Sequence, residues 1–188
     1  MQFILGSSSP RRKELLESIG IIPDMIISPD IDEKNLKDEL PTVCAKRLAK
    51  SKALKIQDEQ PNSLILTADT IAFCGRRIID KTDDIKIAKK YLELLSGRRH
   101  RVVSSIFITN GNKSICKSVQ TIINFKSLTN LEIDKYLESN EWVNVAGAYK
   151  LQGIAASFVI SINGSYTNVV GLPLYEVKNM LSSMGYLD

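Results

Sequence analysis

A mixed α/β or α+β domain is the fold class this sequence predicts. Short apolar runs of strand type at Phe3 to Leu5, Asn62 to Ala68, Val102 to Thr109 and Ser114 to Phe125 carry the first half of that prediction. Ala88, Tyr91, Leu92 and Leu95, and again Val177, Met180, Leu181 and Met184, recur at the spacing of a buried helix face and carry the second. With 188 residues and 44% hydrophobic content, the chain has material for one real core, as a single domain over 1–188 or as two closely joined lobes. Its apolar stretches, such as Ile154 to Ile162, stop well short of the ~18 residues that span a bilayer. Gly (10) and Pro (6) are too few for collagen or bulk disorder.

The elements follow in order. Phe3 to Leu5 is a strand that ends in Gly6-Ser7-Ser8-Ser9-Pro10. Pro10 suits the first position of a helix, with Ser9 as N-cap, Leu15, Leu16 and Ile19 on its buried face and Gly20 as its stop. Residues 30–40 are polar and without period, a loop. A helix from Pro41 or Thr42 to about Ile56 precedes the buried-type strand Asn62 to Ala68, and a third helix covers about Asp83 to Leu95 before Gly97. Asn110-Gly111-Asn112 joins two strands as a hairpin. Thr129 and Glu132 have capping-box spacing at the head of a helix to Ser139. A second hairpin, Ser157 to Ile162 and Tyr166 to Val170 about Asn163-Gly164, is expected before a last helix that opens at Pro173.

Charge and cysteine usage bound the function. The balance of 25 Lys and Arg against 21 Asp and Glu gives +4, too little to argue for nucleic acid but suited to an anionic ligand. Cys44, Cys74 and Cys116 are odd in number and show no metal or disulfide spacing, so free thiols in a reducing cytosol are expected. Met1 to Leu5 has no basic leader or long apolar core, so no secretion signal is expected.

Three places carry chemistry. In Gly6-Ser7-Ser8-Ser9-Pro10-Arg11-Arg12 a strand, a small-residue turn and a helix N-terminus point free N–H groups at one spot. Two arginines in the first turn oppose the helix dipole unless an anion sits there or they extend into solvent. Lys52 falls inside the apolar stripe of Ala45, Leu48, Ala49, Ala53 and Ile56, so it either snorkels to water or faces a ligand. Asp69 follows an apolar run and is expected at the C-terminal end of a strand, where α/β sheets bind ligands; it can hold a divalent cation or take a proton from water. Asp80-Lys81 adds another cation. Arg98-Arg99-His100-Arg101 reads as a solvated cluster at a helix end rather than a nucleic-acid patch, and lone His100 makes neither a triad nor a histidine metal site. Trp142 reads as a packing residue, and Gly147, Gly153 and Gly171 as turn positions.

Taken together, the blocks ILGSSSPRRKELLESIG (4–20), RLAKSKA (47–53), LTADTIAFCGRRIIDK (66–81), LLSGRRHRV (94–102), EIDKYLESNE (132–141), AGAYKLQG (146–153) and INGSYTNVVGLPL (162–174) resemble the Maf family of septum-formation-inhibitor-like nucleotide pyrophosphatases over nearly the whole chain. The resemblance implies an α/β fold, a mixed twisted sheet with flanking helices and two lobes around a deep central cleft. It implies hydrolysis of a nucleoside triphosphate to the monophosphate and pyrophosphate with a divalent cation, Mg²⁺ or Mn²⁺.

Carried over residue by residue, the proton acceptor falls on Asp69 and the phosphate contacts on Ser7, Arg11, Arg12, Lys52 and Lys81, with Arg12, Lys52 and Lys81 offsetting charge in the reaction. Glu33 matches an acidic position near the metal, which Asp69 would share. The pattern resembles the branch that prefers dTTP and UTP, with Arg11, Thr70 and Gln152 at the base-discriminating positions. A cytoplasmic homodimer acting on nucleotide, with no membrane and no specific nucleic acid as partner, is implied as well. The chain departs from the family pattern at Lys81-Thr82, where Lys-Pro is common, at Asn144-Val145, where Asp-Lys is common, and at Lys150, where glycine is common. Two other readings stand beside this one: a non-enzymatic nucleotide- or nucleic-acid-binding regulator of cell division, and an enzyme that clears modified nucleotides.

Overall fold

All four residues of β1 (Phe3–Gly6) are buried, which requires a strand neighbour on each side and cover on both faces. In the structure, a computed structural model that describes residues 1–187, β1 runs parallel to β2 (Met25–Ile27) and to β3 (Leu64–Cys74). Beyond β3 the sheet turns antiparallel: β4 (Arg77–Ile79) pairs back on the end of β3, and β5 (Arg99–Thr109), β6 (Ser114–Phe125) and β7 (Val159–Asn163) follow in turn. The result is a mixed seven-stranded sheet.

The two faces of β3 meet different partners, as alternation requires. Ile65, Ile71 and Phe73 pack under α2 (Pro41–Glu59), against Ala49, Ala53, Ile56, Ala45 and Leu48. On the other face Leu64, Leu66 and Ala68 join Leu15 and Leu16 of α1 (Pro10–Glu17) and Val177, Met180 and Leu181 of α6 (Leu174–Ser183) in one core. Ala72 of the same face belongs to a second core, with α3 (Ile85–Leu95), α4 (Asn130–Glu138), Trp142, Tyr149 and Phe158. Thr70 lies between Ala68 and Ala72, and Ser104 between Ile106 and Val102 of β5, so the face carries polar residues where one core gives way to the next. That seam is the cleft between the two lobes. At its sheet end Gly6 lets strand and helix meet closely: a Cβ there would lie 2.5 Å from Ile56 Cδ1 and 2.6 Å from Thr67 Cγ2.

The structure corrects several expectations. β3 continues to Cys74, so Asp69 stands in the middle of a strand and not at its end. Polar residues are tolerated there because each is matched: Thr67 Oγ1 donates to Ala49 O at 2.6 Å, and Asp69 and Thr70 have partners on opposite faces. The second hairpin is absent. Residues Tyr166–Val170 form a short helix, α5, capped by Ser165 Oγ, and β7 starts at Val159 after a 3-10 turn over Ile154–Phe158. A run as short as Thr167 to Val170 has no periodicity that separates strand from helix. Ser9 occupies the N-cap position of α1 without a side-chain cap bond. β2 and β4, three residues each, carry too little pattern to be read. The capping box of α4 forms as expected, with Glu132 N and Thr129 N both satisfied, and Trp142 is buried with Nε1 donating to Leu137 O.

The cluster 98–101 is likewise no solvated loop, because β5 begins at Arg99 and turns His100 fully inward. His100 Nε2 lies 2.8 Å from Tyr149 Oη, and its ring meets Phe125 edge-on at 4.9 Å. Burial pushes its pKa down to about 4 from an ordinary 6.5. The unfolded chain therefore takes up the proton first, and the stability contributed by neutral His100 is present above pH 6.5 and lost as pH falls towards 4. Urea denaturation across that window is expected to lose on the order of 3 kcal/mol through this residue, and His100→Gln is expected to flatten the slope relative to wild type.

Candidate active site

The cleft is built on the helix that the proline-arginine turn starts. After β1, Ser7 Oγ accepts from Ser9 N at 3.2 Å and from Arg12 Nη1 at 3.0 Å, which ties the turn to the first helical residues. Arg12 points inward: Nε donates to Gly171 O at 2.8 Å and Nη2 to Thr70 Oγ1 at 3.1 Å. The solvent-extended alternative is thereby settled for Arg12. Burial lowers its pKa, Asp69 opposes that, and the neighbouring Arg11 adds to it; a guanidinium starts so high that it stays charged.

On the opposite face of β3, Lys52 resolves its own ambiguity. Its ammonium is buried, and Nζ lies 2.7 Å from Asp69 Oδ1 and 2.7 Å from Glu33 Oε1. One helix residue thus gathers a mid-strand carboxylate and a loop carboxylate, and one of its three N–H donors is left over. Lys81, just past β4, reaches Glu33 Oε2 at 3.8 Å. Burial raises the Glu33 carboxyl, but the hydrogen bond from Lys52 and the charges of Lys52, Lys81 and Arg12 outweigh it and hold the group below its usual range. Burial lowers Lys81 while Glu33 opposes it.

Two adjoining cavities share Thr70, Lys81 and Ala146. The larger, about 320 Å³, runs from Ser8, Arg11 and Arg12 at the head of α1 to Tyr149, Lys150 and Gln152 on the far lobe. The smaller, about 190 Å³, contains Glu33 and Asp69. The residues to which the family resemblance gives a role therefore border one cleft or, like Ser7 and Lys52, bond to a residue that does. Thr70 Oγ1 is already engaged by Arg12 and by Ser104 Oγ at 2.8 Å, while Arg11 and Gln152 line the cleft wall. Val145 and Lys150, two of the departures from the family pattern, share that wall.

Sequence reading missed the residues that hold the acidic loop. Arg47 of α2 grips both oxygens of Glu39 at 2.7 Å and donates to Lys34 O at 3.0 Å, and Asn35 bridges Cys44 and Asp80. Arg47 holds Glu39 down to about 2. The loop carrying Glu33 is therefore clamped at Lys34, Asn35 and Glu39, on the C-terminal side of that carboxylate. A signal existed only in part: Arg47 sits in the RLAKSKA block, but nothing in its spacing names Glu39 as partner.

Fold and cleft together define a class: a two-lobed α/β protein with an anion-receptive cleft bordered by two carboxylates that share a buried ammonium. The chain belongs to the Maf family, since the family model described as "Maf-like protein" matches residues 2–184. It is 48% identical over 180 residues to a "Nucleoside triphosphate pyrophosphatase" of Ehrlichia chaffeensis, an alignment covering 95% of this chain and 94% of that one. It is 47% identical over 184 residues to a "dTTP/UTP pyrophosphatase" of Roseobacter denitrificans (98% and 97% covered) and 48% over 182 residues to one of Wolbachia pipientis subsp. Culex pipiens (96% and 93%). Among the described residues, no helix is long and apolar enough to cross a membrane.

The buried pair makes a stability prediction. Lys52→Met leaves Asp69 enclosed without its cation and is expected to cost about 3–5 kcal/mol in urea denaturation. Adding Asp69→Asn in the same chain is expected to recover most of that loss, because the uncompensated charge is gone.

Proposed function

We propose that this protein is a pyrophosphatase that hydrolyses dTTP and UTP to the nucleoside monophosphate and pyrophosphate. The observation that carries the reading is the convergence of Arg12, Lys52 and Lys81 with Asp69 and Glu33 on one cleft at the head of a helix. A polyanion alone would need only the cations. The relatives' names, dTTP/UTP pyrophosphatase and nucleoside triphosphate pyrophosphatase, support the reaction and the substrate class.

In this reading the triphosphate lies along the N–H groups at the start of α1, with Arg11 and Ser7 at its phosphates. A water attacks the α-phosphorus in line; a P–O bond forms, the α–β anhydride bond breaks, and pyrophosphate leaves. Asp69 takes the water's proton. Lys52 engages its Oδ1, which leaves Oδ2 for that water. Arg12 and Lys81, with the remaining donor of Lys52, offset the charge that gathers on the leaving group. Arg11, Thr70 and Gln152, which line the larger cavity, discriminate the base.

The carboxylates fit a hard divalent cation such as Mg²⁺ or Mn²⁺. Beyond the oxygens that Lys52 binds, Glu33 and Asp69 each keep a second carboxylate oxygen, and such cations take one or two carboxylates with phosphate oxygens and waters completing the shell. Among the described residues no group of three or more His, Cys, Asp or Glu converges, so the phosphates would supply the rest. When bound, the cation would neutralise phosphate charge and acidify a coordinated water. We also read the protein as cytoplasmic, supported by its three free cysteines, and as a homodimer, on the strength of the family resemblance alone.

Pyrophosphate release from a panel of canonical and modified triphosphates, with cation and with chelator, tests the reading. Release favouring dTTP and UTP, abolished by chelator and reduced on the order of 100-fold or more in Asp69→Asn, is expected. Near-normal turnover in Asp69→Asn removes the base assignment, and no release from any triphosphate removes the enzyme.

A further inference from the structure

Arg12 is held by contacts that trace back to one buried residue outside the cleft. Its Nη2 donates to Thr70 Oγ1 at 3.1 Å, Thr70 Oγ1 lies 2.8 Å from Ser104 Oγ, and Ser104 Oγ donates to Asn168 O at 2.9 Å. Each hydroxyl has a single hydrogen. Ser104 commits its own to Asn168 O, so the proton between the two hydroxyls is that of Thr70. Gly171 O, the other acceptor in reach of Thr70, is longer at 3.4 Å. Thr70 therefore donates to Ser104 and turns its lone pairs to Arg12. The chain has one direction only: guanidinium to threonine to serine to the α5 carbonyl.

A second arm starts at the same place. Gly171, whose carbonyl accepts from Arg12 Nε at 2.8 Å, is the residue that ends α5 at φ 128°. What pins α5 to the sheet is the Asn168 side chain, fully buried among polar partners: Nδ2 donates to Val102 O at 3.1 Å and to Thr121 Oγ1 at 2.9 Å, and Oδ1 accepts from Ser104 N at 3.1 Å. Both donors are used, and the amide binds β5 and β6 at once. A helix of one and a half turns has little of its own to keep it there.

We propose that Asn168 is a positioning residue for the reaction, fixing Arg12 by two arms, one through Ser104 and Thr70 and the other through the Gly171 carbonyl. The inference rests on the pyrophosphatase reading for its consequence and on these hydrogen bonds for its content. Asn168 touches no substrate; it sets where the arginine fork stands, and a displacement of about 1 Å at such a group costs up to ~100-fold in rate.

The test compares dTTP hydrolysis by wild type, Ser104→Ala, Asn168→Asp, Arg12→Ala and the double variant Arg12→Ala/Ser104→Ala. Ser104→Ala removes one hydroxyl and reverses no charge. It is expected to lower kcat by roughly 10- to 100-fold. Asn168→Asp, which sets an acceptor against Val102 O, is expected to lose at least as much; should it fail to fold, Ser104→Ala still decides. In the Arg12→Ala background the serine change is expected to cost nothing further, since its action runs through the arginine. Full multiplicative loss in the double variant, or wild-type kcat in Ser104→Ala, overturns the proposal. A second readout does not need catalysis: hydrogen exchange at Arg12 Nη2, the nitrogen that donates to Thr70 Oγ1, measured by NMR in the nucleotide-free protein, is expected to quicken by at least about tenfold in Ser104→Ala, and an unchanged rate overturns the relay. If wild type releases no pyrophosphate, the enzyme reading fails while the exchange rates still judge the positioning role.

Discussion

A lysine ammonium enclosed by protein is the constraint on which the rest of this structure depends. Lys52 occupies a helix position whose neighbours are alanine, leucine and isoleucine, and burying its charge there is tolerable only with opposite charge at contact distance. Asp69 supplies that from the sheet and Glu33 from the loop, so one ammonium fixes the distance from α2 to β3 and draws the acidic loop down onto the cleft. The Arg47–Glu39 pair then holds the same loop from its far side. A hydrophobic residue of equal volume at position 52 could pack as well, but would leave two carboxylates with nothing to gather them.

The architecture separates two jobs across the thickness of one strand. Asp69 faces α2 and the buried ammonium, while Thr70 faces the seam and the arginine that α1 delivers. Both lobes are needed to shape that seam, because the core under α1 and α6 ends at Ala68 and the core under α3 and α4 begins at Ala72. Their junction leaves polar side chains uncovered by either, and the cavity there is the direct result.

Much of this was legible in the sequence, for physical reasons that can be named. Pro10 and the two arginines behind it broke the rule for charge at a helix start, and Lys52 broke the apolar stripe; both violations proved to be at the cleft. Regular elements with strong caps and periods, such as α3, α4 and the β5–β6 hairpin, could be read because local chemistry and global fold agree there. What stayed hidden was set by tertiary partners. Asp69 looked like a strand terminus because a carboxylate inside a sheet is tolerable only with a cation that no local pattern reveals. Asn168 looked like part of a strand because its role depends on Val102, Thr121 and Ser104, far away in the chain. His100 sat in a run of arginines, and only pairing with β6 turned it inward.

Because neighbouring side chains on a strand point to opposite sides, Asp69 and Thr70 are assigned to their separate tasks by nothing more than odd and even numbering. Gaining or losing a single residue between Leu64 and Asp69 would exchange them, putting the carboxylate before the arginine and the hydroxyl before the buried ammonium. Substitutions can drift through the walls of this cleft, at Val145 or Lys150 for instance, and leave its logic intact. Length changes in that stretch of strand cannot, so the lineage of this site is expected to vary by replacement there and by insertion only in the loops.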